Sequence, residues 1–288
     1  MPDLNTSQRF LIENTDIRGE MVTLTSSYLE TIANHKYPKA VSELLGQFLA
    51  AGVLLGSTLK FDGRLVLQAR GDGQLSLMMA EYTSAGQIRG IARFPETPDG
   101  IEFSDLTGKG SLVITVDSKR GKPYQGVVAL EADSLAQCLQ DYFRQSEQLG
   151  SWIMLASNAS SVSAIMLQQL PAQLQKDADI RAEQWQNAIQ LAQTLRKDEL
   201  LNLDNQTILH RLFHEHELRL LDPREISYQC SCTRERTARA LLAIGQSEVD
   251  SIVAEQGGVA INCEFCGTEY NFGPGEVDLL FGKDGSLH

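Results

Sequence analysis

Four of the five cysteines lie in the last 59 residues, as Cys230-Ser-Cys232, thirty intervening residues, then Cys263-Glu-Phe-Cys266. Thiolates are soft ligands, and zinc takes four of them at the corners of a tetrahedron. Two cysteines one or two residues apart supply two corners from a single turn, and folding brings in the second pair. Gly267 follows the second pair, where a knuckle turn calls for a positive backbone angle. Paired spacing in a cysteine-poor chain rarely arises by accident, so one zinc site built from Cys230, Cys232, Cys263 and Cys266 is expected. Spacing alone leaves two roles open for it, structural zinc and thiol redox chemistry. A plain zinc ribbon uses Cys-x-x-Cys at both ends, whereas the first pair here is Cys-x-Cys. A disulfide between residues i and i+2 is strained, and strained disulfides are the labile, regulatory kind.

The remaining candidates are weaker. Cys138 stands alone in a helical stretch with Leu135, Ala136 and Leu139. It reads as a small buried hydrophobe rather than a ligand or switch. His210 and His214 are one helical turn apart beside Glu215 and His216, and they read as a packed or solvated helix end. His35 and His288 stand alone. No dinucleotide fingerprint, P-loop or nucleophile elbow is present, and Gly71-Asp72-Gly73 reads as a turn. The net charge of −12 argues against a general nucleic-acid or acidic-membrane binder. From Cys230 onward four residues are basic and nine acidic, which also disfavours a nucleic-acid zinc ribbon. The N-terminus lacks a basic region followed by an apolar run. The longest apolar stretch, Phe48 to Leu55, is broken by Gly52 and is far short of the ~20 residues of a membrane span. The expectation is a soluble, cytoplasmic protein, where clustered cysteines point to metal or redox chemistry rather than stable disulfides.

The site must be positioned by the elements around it. Between the pairs, Ala238, Leu241, Leu242, Ile244, Val249, Ile252 and Val253 mark one or two helices in 233–256. Upstream, the spacing predicts a core helix from Lys39 to Leu59, apolar over much of its surface. Strands are predicted at 17–25, 64–70, 74–82, 87–94, 111–117, 124–131, 152–155 and 164–170. The loop 118–123 reads as a hairpin, and a helix capped at Asp133 or Ser134 runs to about Leu149. From Asp177 to about Lys197 a polar helix carries a narrow stripe of Ala178, Ala182, Trp185, Ile189, Ala192 and Leu195. Such a helix needs a partner surface. Shorter helical pieces follow, with Leu200, Leu203, Ile208, Leu212 and Phe213. The class is α+β: an N-terminal, mostly antiparallel sheet with packed helices, a helical linker and a small C-terminal zinc-binding domain. The expected boundaries are 1–176, 177–229 and 230–288.

With these residues in view, the chain resembles a known family, the thirty-three-kilodalton heat-shock holdases, which are redox-regulated bacterial chaperones. The resemblance spans nearly the whole chain. It rests on the Cys-x-Cys and Cys-x-x-Cys pairing, with support from Arg70-Gly-Asp-Gly73, Gly90-Ile-Ala-Arg93, Tyr142-Phe-Arg-Gln-Ser-Glu147 and Cys232-Thr-Arg-Glu-Arg236. Some members carry a further cysteine near the position of Thr237. That residue is not a ligand, so its absence leaves the zinc site intact. The resemblance implies an inactive reduced state holding one Zn2+ per chain on the four thiolates. Oxidation would release the metal and form Cys230–Cys232 and Cys263–Cys266 disulfides. The C-terminal domain would unfold, the linker would loosen, and the 1–176 domain would bind unfolding client proteins as a homodimer without ATP. Two rivals stand beside this reading: a thiol–disulfide oxidoreductase, and a zinc-dependent interaction module of fixed structure. Against the enzyme, no Cys-x-x-Cys opens a helix after a strand, where a helix dipole would activate a thiolate.

Overall fold

A computed structural model describes residues 4–119 and 122–282. Arg120 and Gly121 of the expected hairpin loop, and His288, lie outside the described residues. The chain divides into two compact units, Met1–Gln229 and Cys230–His288.

The first unit is built on two six-stranded sheets, not one. The first sheet contains β1 (Thr6–Ile12), β2 (Ile17–Leu24), β8 (Ser151–Ser157), β9 (Val162–Gln169) and β10 (Leu218–Leu220), in the order β10-β1-β2-β9-β8. The short β11 (Arg224–Glu225) also pairs with β1. The second sheet is the expected meander, β3 (Gly63–Gly71), β4 (Leu77–Thr83), β5 (Gln87–Arg93), β6 (Gly110–Ser118) and β7 (Tyr124–Ala129). It is extended by β12 (Ser227–Tyr228), which runs parallel to β5. β4 begins later than its composition suggests, because Gln74 and Leu75 bond instead to Asp105 and Leu106 of the short helix α3 (Phe103–Thr107).

Helix α1 (Ser26–Ile32) leads into α2 (Lys39–Thr58), which lies between the sheets. Its side chains meet Val22, Leu24, Ala164 and Met166 of the first sheet and Leu65, Leu67, Ala80 and Tyr82 of the second in one core. That placement explains why it is apolar over much of its surface. Two glycines permit the approach. A Cβ on Gly46 would lie 2.4 Å from the Val162 side chain, and one on Gly56 would lie 2.2 Å from the Tyr82 ring. Taken whole, and despite the break at Gly52, α2 is long and apolar enough to cross a membrane. Here most of it is buried in protein. Helix α4 (Leu135–Tyr142) starts as expected, with the Ser134 hydroxyl accepting from the Gln137 N–H. It does not continue to Leu149: a π-helical turn over Phe143–Glu147 ends at Gln148, which is left-handed with φ of 53°.

The other face of the first sheet carries α5 (Ala178–Ala192), α6 (Lys197–Asn202) and α7 (Asn205–Phe213). Phe10, Ile12, Ile17, Met21, Ile165 and Leu167 meet Ala188, Ala192, Leu195, Leu200, Ile208, Leu212 and Phe213. The stripe of α5 differs from expectation. Ala178 and Ala182 are exposed, whereas Ala188 is buried. The inward position of the first turns belongs to Arg181, whose Nη1 donates to Asp16 Oδ2 at 2.5 Å and whose Nη2 donates to the Leu170 carbonyl at 2.8 Å. Asp16 also accepts from the backbone N–H groups of Gln173, Leu174 and Gln175. Burial opposes ionisation of Asp16, but these donors and the Arg181 charge outweigh it and hold its carboxyl below the usual range. A buried ion pair, not alanine, sets the rotation of this helix.

The second unit has α8 (Arg234–Ile244), α9 (Gln246–Gln256), a two-stranded hairpin of β13 (Val259–Asn262) and β14 (Glu269–Phe272), and α10 (Pro274–Leu280). Its core is Ala238, Leu241, Val249, Val259, Phe272 and Val277. Leu242 and Ile244, expected inside, are 43% and 51% exposed. A two-stranded hairpin covers only one face of so short a helix.

Candidate metal centre

The second cysteine pair sits in the turn between β13 and β14. The Cys263 N–H donates to the Thr268 carbonyl at 2.9 Å, and the Gly267 N–H donates to the Cys263 carbonyl at 2.8 Å. This knuckle points both sulfurs to one side. Gly267 has φ of 69°, the positive angle its position called for. The first pair lies just before α8. Thr233 caps that helix by accepting from the Arg236 N–H, and the Arg236 guanidinium donates to the Ser231 hydroxyl between the cysteines at 3.0 Å.

Folding brings all four sulfurs together, each within 4.8 Å of the others. Cys230 and Cys263 are 3.6 Å apart, and Cys232 and Cys266 are 3.4 Å apart. A zinc tetrathiolate with bonds of about 2.3 Å has sulfurs about 3.8 Å apart, so the donor set fits zinc in number, kind and spacing. Among the described residues, this quartet is the group of ligand atoms close enough to hold a metal ion.

The electrostatics favour a cation. Burial, then hydrogen bonding among the thiols, pushes the Cys230 thiol up to about 12, and burial also pushes Cys232 up. Cys266 moves the other way. Burial opposes its ionisation, but the Thr268 hydroxyl at 3.1 Å, the Thr268 backbone N–H and the neighbouring thiols bring it down to about 6. One thiolate is therefore well solvated by donors, and each further negative charge in the cluster meets repulsion that a divalent cation would offset. The Tyr270 hydroxyl donates to Cys232 Sγ at 3.1 Å. That bond, with the thiol charges around it, pushes Tyr270 up to about 12 and keeps it a donor.

Three residues support the site in ways that spacing does not reveal. Thr268 and Tyr270 donate to sulfur. Arg234 ties the module together: its Nη2 donates to the Asn271 carbonyl at 2.6 Å and to Glu276 at 2.7 Å, and its guanidinium lies 4.5 Å from the Phe272 ring centroid. A basic residue two places after Cys232 is visible in the sequence, but its partners lie 37 and 42 residues away.

Cys138 belongs to the first unit, on α4, and is 1% exposed. Burial pushes its thiol up, so it is less reactive than a free cysteine. His210 and His214 have ring centroids 6.3 Å apart, and His216 Nε2 lies 3.1 Å from Asn187 Oδ1.

A family model described as Hsp33 protein matches residues 5–273. The 33 kDa chaperonin of Ectopseudomonas mendocina is 47% identical over 283 residues, covering 97% of this chain and 96% of that protein. The 33 kDa chaperonin of Azotobacter vinelandii is 44% identical over 289 residues, covering 99% and 97%. In fold, the chain is similar to the crystal structure of the 33 kDa chaperonin from Thermotoga maritima. That match has a TM-score of 0.84 and 22% identity, and it covers 97% of this chain and 99% of the other. With a family model and full-length relatives agreeing across both units, the chain belongs to the Hsp33 family.

Proposed function

We propose that this chaperone is a redox-regulated, ATP-independent holdase, not an enzyme, idle when reduced and active when oxidised. The observation that carries the reading is a four-thiol cluster set in a unit whose own core is six side chains. So small a core supplies few kcal/mol. Bound Zn2+, one per chain on Cys230, Cys232, Cys263 and Cys266, would supply the missing cross-link, with binding free energy of about 10–16 kcal/mol in comparable peptides.

Oxidation of the thiolates removes the ligand set. Each cysteine pair gives up two electrons as its disulfide forms, and one hydrogen peroxide, taking these with two protons, leaves as two waters. In the cluster, sulfurs of different pairs are already as near as 3.4 Å. Once the unit loosens, loop closure favours the shortest rings, Cys230 with Cys232 and Cys263 with Cys266. The segments then act as 1–176, a client-binding and dimerising domain, 177–229, a helical linker, and 230–288, the redox switch. The linker joins the switch at Gln229, where the chain leaves β12. Unfolding from that side would free α5 to α7 and uncover Phe10, Met21 and Ile165 for unfolding client proteins in the cytoplasm. Neither nucleic acid nor membrane is a partner in this reading.

The test follows one reduced sample through peroxide treatment at mild heat. Zinc release, loss of four thiols, increased amide exchange from about residue 177 onward and suppressed aggregation of a heat-denatured client are expected together, without nucleotide. Zinc release with unchanged exchange in α5 to α7 and no suppression would defeat the reading. Insulin reduction by the reduced protein would favour an oxidoreductase.

A further inference from the structure

The inner face of the first sheet is apolar along α2 until the C-terminal end of that helix, where it turns polar. Arg18 on β2 and Gln168 on β9 are cross-strand partners there. The Arg18 Nε and Nη2 donate to Gln168 Oε1 at 3.1 and 2.5 Å, and the Gln168 amide in turn donates to Ser151. Among the described residues, no carboxylate lies within ion-pair distance of Arg18. Arg18 is a half-buried guanidinium whose hydrogen-bond acceptor is one neutral amide, a cation without an ion-pair partner. Burial and the nearby Arg9 charge both act against it. The Glu20 charge favours it, but that carboxylate is engaged directly by Arg9 and Ser7.

Arg18 opens onto a cavity of about 330 Å³, within the roughly 300–1,000 Å³ usual for small-molecule sites. The walls are apolar: Leu55 and Leu59 of the α2 end, Phe61, Ile114 and Val116 of β6, and Phe143 of the π-helical turn. Leu59 and Tyr124, at its rim, are among the exposed large hydrophobic residues of the chain, at 45% and 49%. One side is closed by a fixed chain of hydroxyls. Tyr124 and Tyr142 are 3.1 Å apart, and Tyr142 donates to Glu147 at 3.0 Å. Glu147 is thereby engaged at the exposed edge and does not reach back to Arg18. The stretch Tyr142–Glu147, which the redox switch leaves without a role, forms this wall.

We infer that this cavity is a binding site for a small amphipathic carboxylate, with its head on Arg18 and its apolar chain along Leu55, Phe61, Ile114 and Val116. Of the five guanidinium donors, two are engaged by Gln168. The three left lie on the Nη1 and Nη2 nitrogens, whose outer edge matches a planar carboxylate. Lys60 also lines the cavity, but so does Glu147, so the cations exceed the carboxylate by one charge, which suits a singly charged head better than a phosphate. The site is separate from the cysteine quartet and does not depend on the redox reading.

The probe is octanoate, titrated below its micelle concentration into the full reduced, zinc-loaded chain, followed by the methyl resonances of Ile114 and Val116. Saturable binding of one octanoate per chain is expected. Arg18→Gln and, on the unaltered protein, the neutral analogue 1-octanol should each bind about ten-fold more weakly or worse, the scale of one charge-assisted hydrogen bond. Acetate, which lacks the chain, should not saturate these shifts. No saturable shift with octanoate, or equal binding of 1-octanol, would overturn the inference. If Arg18→Gln fails to fold, the octanol and acetate arms still decide it.

Discussion

In the first unit α2 is enclosed by two sheets, with Phe48, Leu45 and Val53 fully buried. In the second, six buried side chains share the interior of α8, α9, a hairpin and α10. The first interior is large enough to stand by hydrophobic burial. The second is of the size at which small folds require a metal or disulfides. Its polar contacts from Thr268, Tyr270 and Arg234 serve the sulfurs or tie the elements beside them. The contrast teaches where a chemical signal can act. On the proposed reading, a unit held by its thiols would be undone by thiol chemistry, whereas one held by apolar area would be indifferent to it. Helices α5 to α7 fall between the extremes. They bury a real apolar seam, but one end is set by the ion pair of Asp16 with Arg181.

The largest effect expected is from Cys263→Ser. Removing one ligand should abolish zinc binding, worth about 10–16 kcal/mol in small zinc modules. Amide protection should vanish across α8 to α10 while β3 to β6 stay protected. Metal analysis and hydrogen exchange would check this, and full zinc retention would break the comparison at its root.

An intermediate effect is expected from Asp16→Ala, which leaves Arg181 buried without its partner, at a cost of about 3 kcal/mol. The loss should be local. Exchange should rise over residues 173–192 and not in α2. The same pair gives a pH signature. The folded carboxyl titrates below its ordinary value of 3.8, so its contribution is complete above that pH and disappears as pH falls through the folded value. Opening of α5 should therefore begin only below about pH 4 in the parent chain, and Asp16→Ala should lack that acid step. An unchanged acid step in the variant would assign it to another group.

The smallest effect is expected from Cys138→Ala. A thiol packed among Leu135, Leu139 and Tyr142 contributes by filling space, so the change should cost about 1 kcal/mol. It should leave zinc content and oxidant response untouched. Loss of the response would mean that the first unit also carries a redox-sensitive thiol.

The sequence by itself determined the four-cysteine cluster, because two short spacings bring each pair to one turn and thiols are the donors such a cluster offers. It also determined α2 and the meander, since apolar periodicities of 3.6 and 2 follow directly from local geometry. Other features were decided only by tertiary structure. The split into two sheets depends on which strands face α2, and Gly46 and Gly56 carry that information only once Val162 and Tyr82 lie opposite them. β1 was not legible, because the alternation in Thr6–Ile12 is masked by Ser7, a buried polar residue that bonds Glu20. The rotation of α5 was misread, since a hydrophobic stripe cannot register that Arg181 has a buried carboxylate 165 residues away. Tyr270 and Thr268 were silent for the same reason, as were the partners of Arg234. A hydrogen bond to sulfur or to a distant carbonyl leaves no period in the chain, and only folding brings donor and acceptor within about 3 Å.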